Sequence, residues 1–129
     1  MGVLVYVDDL IIVGNNPTHC ASFKKYLHQC FRIKDLGPLK YFLGIEVTRT
    51  NLGLFLCQRK YALDILTECG MLGSRPSYTP MEQNHGLTAT LGSWLEDASR
   101  YRRLIGRLIY LTITRPNLSY SVHALAQFM

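Results

Sequence analysis

Two apolar runs open the chain, Val3 to Val7 and Leu10 to Val13, separated only by the acid pair Asp8-Asp9. Short apolar runs rich in β-branched residues predict two buried strands, with the acids at the turn between them. Asn15-Asn16-Pro17 then predicts a helix start, Asn16 as N-cap and Pro17 at the first helical position. Cys20, Phe23, Leu27, Cys30 and Phe31 recur at helical spacing, while Lys24, Lys25 and His28 fall on the other side, so this helix should cover the strand pair. Gly37-Pro38 breaks the chain. Tyr41 to Arg49 and Leu54 to Gln58 then predict a second hairpin turning at Asn51-Leu52-Gly53. Gly44 falls inside its first strand, where a bulge and a close approach by backbone or ligand are both open readings.

From Lys60 the period becomes helical, with Ala62, Leu63, Ile65, Leu66 and Cys69 forming an apolar stripe that Gly70 can close. Residues 71–97 predict a long loop punctuated by Gly73, Pro76, Pro80, Gly86 and Gly92, and so long a connection is usually functional or mobile. A further helix is predicted over Ser99 to Ile113, with Leu104, Ile105, Leu108, Ile109 and Leu111 apolar and Arg102, Arg103 and Arg107 in a more polar direction. Pro116 separates it from a last helical segment, Asn117 to Met129, carrying Leu118, Val122, Leu125 and Phe128. The fold class is therefore α+β: two hairpins with a covering helix over residues 1–58, then a helical region over residues 59–129.

With 129 residues and 48% hydrophobic content, the chain can bury one modest core. A net charge of +5 suits an anionic partner such as nucleic acid, though proteins with no polyanion to meet also carry such an excess. The arginines, with Arg100 and Arg115, either track a phosphate backbone or form a solvated helix face. Cys20, Cys30, Cys57 and Cys69 are widely spaced without a C-x-x-C pair, which predicts reduced thiols in an intracellular protein, cytoplasmic or nuclear, with an organelle also open. No signal peptide is visible, and no run approaches the roughly 20 apolar residues of a membrane-spanning helix.

Asp8 and Asp9 break local rules. A two-residue hairpin loop favours Asn-Gly or Asp-Gly, and adjacent carboxylates repel. Divalent-metal chemistry supplies a reason, since Mg2+ takes one or two carboxylates and fills its remaining positions with water and phosphate. Two such ions clamp the attacking and leaving oxygens of a phosphoryl transfer. A solvated Asp-Asp turn is the plainer alternative for an isolated pair.

Companion motifs weigh against that alternative. Tyr6-Val7-Asp8-Asp9, the run from Ile33 through Gly37-Pro38 to Val47, and Tyr101 to Thr112 stand in an order that resembles the reverse transcriptase of copia-type LTR retrotransposons. The resemblance covers essentially the whole chain. It implies a partial palm whose hairpin presents Asp8 and Asp9 to two Mg2+ ions, Asp8 as the more direct ligand, followed by a helical thumb-like region. It also implies that Phe42, Leu43 and Gly44 belong to a primer grip, where close backbone approach explains the glycine, and that Arg102, Arg103 and Arg107 lie near a template–primer duplex. Lys34 falls where related polymerases carry a basic group that can protonate the pyrophosphate leaving group. Lys40 is equally near, and an ordinary solvated lysine is the alternative for either.

The same resemblance sets expectations about what is lacking. Such polymerases use a third aspartate on an earlier palm strand, together with fingers that hold the incoming dNTP, and neither has a counterpart here. The chain is therefore expected to be inactive alone and to need the missing N-terminal part as a partner, along with an RNA or DNA template–primer. A non-catalytic nucleic-acid-binding remnant and a degenerate transposon relic are the alternatives. Asn117 replaces the Asp of a Thr-Arg-Pro-Asp run, a change expected to affect a helix cap only. Unpaired edges on the first hairpin predict poor solubility.

Overall fold

The first hairpin forms one residue out of the predicted register. Strand β1 (Gly2–Tyr6) pairs antiparallel with β2 (Asp9–Val13), Tyr6 opposite Asp9 and Val3 opposite Ile12, which leaves Val7 and Asp8 as the two turn residues. One acid thus stands at the apex and the other on a strand. The cost falls on Val7, whose φ of 49° is an outlier for a β-branched residue. In this computed structural model, which describes residues 1–88, 92–93 and 95–129, the strands are not buried as expected. β1 is exposed throughout, and only Ile11 and Ile12 of β2 are half-buried, because too little of the chain packs on the hairpin.

Helix α1 (Pro17–Phe31) starts as its sequence predicts, with the Asn16 side chain accepting the His19 N–H at 3.2 Å and Pro17 in the first turn. Its cover over the hairpin is partial. A Cβ on Gly14 would meet Cys20 Sγ at 2.6 Å, so the helix start abuts the end of β2, and Cys20, Phe23 and Leu27 are half-buried. Cys30 and Phe31, predicted on the same face, are exposed. The helix ends on Arg32 in the left-handed region, φ 51°, with its N–H bonded to His28 O.

The segment Tyr41 to Arg49 is two strands and not one. β3 (Tyr41–Phe42) turns through Leu43 and Gly44 into β4 (Ile45–Thr50), which turns through Asn51 and Leu52 into β5 (Gly53–Cys57), and the sheet order is β3-β4-β5. Leu43 at φ 50° and Gly44 at φ 86° give the two positive-φ positions of a type I′ hairpin turn. Gly44 therefore answers to neither a bulge nor mid-strand placement; it supplies the second left-handed residue of a turn.

The chain divides into two compact units, Met1–Leu43 with Val47–Phe55, and Gly44–Glu46 with Leu56–Met129. The second unit contains α2 (Arg59–Glu68), α3 (Ser99–Leu111), a 3-10 turn (Pro116–Leu118) and α4 (Ser119–Ala126). α2 closes with Gly70 at φ 68°, Gly70 N–H bonded to Thr67 O and Met71 N–H to Leu66 O, the paired bonds of a Schellman ending. The core gathers Ile65, Ile105, Leu111 and Val122, of which Ile105 is 1% exposed. Ile109 of the predicted stripe faces outward, and the helix stops at Leu111, two residues short of Ile113. Asn117 lies inside the 3-10 turn, and Leu118 precedes α4 without a side-chain cap, so Asn117 caps no helix. The described residues of the 71–97 loop form no helix or strand, and residues 89–91 and 94 of it lie outside the described residues.

Gln58, read as the end of a strand, is a buried tie. It is 3% exposed, its Nε2 donates to Tyr110 O at 3.3 Å, and its Oε1 accepts from Thr114 Oγ1 at 2.8 Å. Both ends of the buried amide are thus satisfied.

Candidate functional site

Asp8 stands at the apex of the β1–β2 turn and Asp9 at the first position of β2, both exposed. Pairing fixes their surroundings. Asp9 shares a sheet face with Tyr6, Leu4 and Ile11, while Val3, Val5, Leu10 and Ile12 line the other. Val7, held at positive φ, sets the direction in which Asp8 leaves the turn, and strain of this kind concentrates where a site needs a fixed geometry. Two exposed carboxylates fit one hard dication that keeps several of its waters. A pair of ions about 3.5–4 Å apart needs further ligands. Among the described residues no group of three or more His, Cys, Asp or Glu comes together to hold a metal.

Lys34, the possible proton donor, is exposed in the stretch after α1. Its neighbour Asp35 is the more constrained group. Lys24 Nζ lies 2.9 Å from Asp35 Oδ2, and Gly37 N–H donates to Oδ1 at 2.9 Å. The Lys24 hydrogen bond, helped by the Gly37 amide, holds the Asp35 carboxyl below the usual carboxylate range. His28 Nδ1 meets Ile33 O at 2.6 Å, so the segment 33–37 is tied to α1 at two places.

Phe42, Leu43 and Gly44 fall at the β3–β4 turn, with Phe42 and Leu43 half-buried. Gly44 sits against two rings: an added Cβ would stand 3.4 Å from Tyr61 and 3.7 Å from Tyr110. Those rings meet edge to face with centroids 5.2 Å apart. Lys60 N–H donates to Glu46 at 2.9 Å, which holds the first turn of α2 beside the start of β4.

The three arginines do not act alike. Arg103 Nη2 lies 3.0 Å from Glu68 Oε1, and Arg107 bonds Glu68 Oε2 while its guanidinium lies over the Tyr61 ring at 5.4 Å from the centroid. Arg102 is exposed and has no ion pair among the described residues. Glu68 was not marked by the sequence pattern. Its only early sign is an acid in the last turn of a helix, where the helix dipole disfavours it. Gly106 went unmarked as well: it interrupts α3 on an exposed face with nothing within 4 Å of an added Cβ. A helix-interior glycine costs about 1 kcal/mol against alanine, so this bare position beside Arg102 and Arg103 is open to close approach by a partner.

The profile of the family described as reverse transcriptase (RNA-dependent DNA polymerase) matches residues 1–83. A retrovirus-related Pol polyprotein from transposon RE1 of Arabidopsis thaliana is 46% identical over 127 residues, 98% of this chain and 9% of that protein. An uncharacterized mitochondrial protein of the same plant is 40% identical over 129 residues, all of this chain and 53% of its own length. The Pol polyprotein from transposon TNT 1-94 of Nicotiana tabacum is 31% identical over 136 residues, 98% of this chain and 10% of that protein. The chain thus spans about a tenth of the Pol polyproteins it matches and about half of the mitochondrial protein. No solved structure matches it.

Proposed function

Because the chain belongs to the reverse transcriptase (RNA-dependent DNA polymerase) family, we propose that it is the part of a retrotransposon polymerase that presents the acid pair and holds the primer-template duplex. The observation that carries this is the β1–β2 turn, where a strained Val7 sets an exposed Asp8 at the apex. Residues 1–58 correspond in this reading to palm and residues 59–129 to thumb. Asp8 and Asp9 would hold Mg2+, which supplies charge neutralisation for nucleotidyl transfer when bound. The Leu43-Gly44 turn, its Gly44 Cβ side already packed on Tyr61 and Tyr110, would bring backbone to the primer end, and Arg102 with its neighbours would track the phosphates. Since the described residues bring no further carboxylate to the pair, metal capture is weak and polymerisation needs ligands from another polypeptide segment.

Mn2+ added to the isotopically labelled chain tests the site. Paramagnetic broadening of NMR signals is expected to centre on residues 7–9, to need millimolar metal, and to vanish in Asp8→Asn. Broadening centred elsewhere removes the metal role. A second reading, duplex binding without chemistry, draws on the exposed basic face of α3. Its signature is salt-dependent affinity that ignores both Mg2+ and Asp8→Asn.

A further inference from the structure

Glu68 lies in the last turn of α2, where an acid opposes the helix dipole. It is nevertheless the meeting point of two guanidinium groups. Arg103 takes one carboxylate oxygen at 3.0 Å and Arg107 takes the other, with Tyr61 beneath the Arg107 plane at 5.4 Å. Two arginine forks converging on two oxygens of one anion is an arrangement that a phosphodiester, with its two non-bridging oxygens, satisfies equally well. The cluster is open to water on its Arg103 side: the Arg103 side chain is 63% exposed and Glu68 44%, while Arg107, at 24%, is half-buried against Tyr61. The exposed Arg103–Glu68 pair adds little stability, and an anion that replaces the carboxylate keeps the half-buried Arg107 paired, so the exchange leaves the fold in place.

We propose that Glu68 occupies, in the free chain, a phosphodiester site built by Arg103, Arg107 and Tyr61, and that the nucleic-acid backbone takes its place. This rests on the reading that the chain holds a primer-template duplex. Two positive groups and one negative leave the cluster at a net charge of +1. Removing the carboxylate's charge leaves two uncompensated guanidinium groups for phosphate, whereas a carboxylate serving only to brace α2 against α3 yields no gain in binding when removed.

The experiment measures binding of the full chain to an RNA–DNA hybrid duplex across a salt series, for the wild type, Glu68→Gln and Arg102→Gln. Glu68→Gln is expected to bind about three- to tenfold more tightly at low salt, with a log–log salt slope steeper by about one to two. Adding Arg103→Gln and Arg107→Gln to Glu68→Gln is expected to abolish the gain. Equal or weaker binding by a Glu68→Gln chain that still melts cooperatively overturns the proposal. Should that variant fail to fold, the wild-type Glu68 carboxyl carbon signal decides: a shift on saturation with duplex supports exchange, and an unmoved signal overturns it. Wild-type binding that weakens with salt and with Arg102→Gln, without the Glu68 effect, leaves the duplex-holding reading standing and sinks only this one. No binding by any chain at any salt overturns both.

Discussion

Val7 shows how much one dihedral angle decides. The acid pair was legible from the sequence as a hairpin break, but its placement within the turn was not, because the two registers differ by one residue and both close on a two-residue loop. The observed register puts Asp8 in the turn and Asp9 on β2 and places a valine at φ 49°. A left-handed L-residue costs about 1–2 kcal/mol, and asparagine tolerates the conformation better. Val7→Asn is therefore expected to raise unfolding stability by about 1 kcal/mol, measured by urea denaturation. A destabilised variant would show that the angle carries no strain. Asp35 gives a second residue-scale test. Its hydrogen bond from Lys24 lowers its pKa in the folded chain, so the stabilising effect is full at neutral pH and is lost as pH falls through the folded value. Carboxyl NMR titration should place Asp35 below the usual aspartate midpoint, and Lys24→Met should move it upward.

Local signals and distant contacts divide the elements. The start of α1 was legible because Asn16 and Pro17 act locally, and the end of α2 because Gly70 does. The β3–β4 turn was not, since hydrophobic content alone makes Tyr41 to Arg49 look continuous and Leu43 is an unfavourable residue for a positive φ. Nor was Gln58 marked, because its partners Tyr110 and Thr114 come from more than fifty residues away in sequence. Burying an amide with both ends bonded makes its removal costly for the groups left behind. Gln58→Ala is expected to destabilise the chain by about 1–3 kcal/mol, seen as a lower thermal midpoint, and an unchanged midpoint would contradict the tie. The arginine stripe was read correctly as polar but not as divided: Arg103 and Arg107 meet Glu68, a partner that no local period reveals.

At the scale of the whole molecule, apolar surface outruns the chain's capacity to cover it. Leu4, Val5 and Tyr6 on β1 and Leu54, Phe55 and Leu56 on β5 are all exposed, and β1 carries neither a charge nor a proline to discourage pairing with another strand. Light scattering is expected to show an average mass that rises with concentration, and Val5→Lys to reduce it; a monodisperse monomer at high concentration would contradict this. The family and the mixed α and β make-up were legible in the sequence, whereas the completeness of the proposed metal site was not a property of any motif. It depends on whether other carboxylates reach Asp8, and among the described residues none gathers there.

Primer extension on an RNA template reads that dependence directly. The purified chain alone is expected to incorporate no nucleotide. Mixed with the polypeptide that precedes the matched segment in the RE1 Pol polyprotein, it is expected to give Mg2+-dependent extension that falls at least about a hundredfold in Asp8→Asn, since even outer-sphere partners of a metal cost about 10–100-fold when lost. Extension by the chain alone, or complemented extension indifferent to Asp8, would contradict the account.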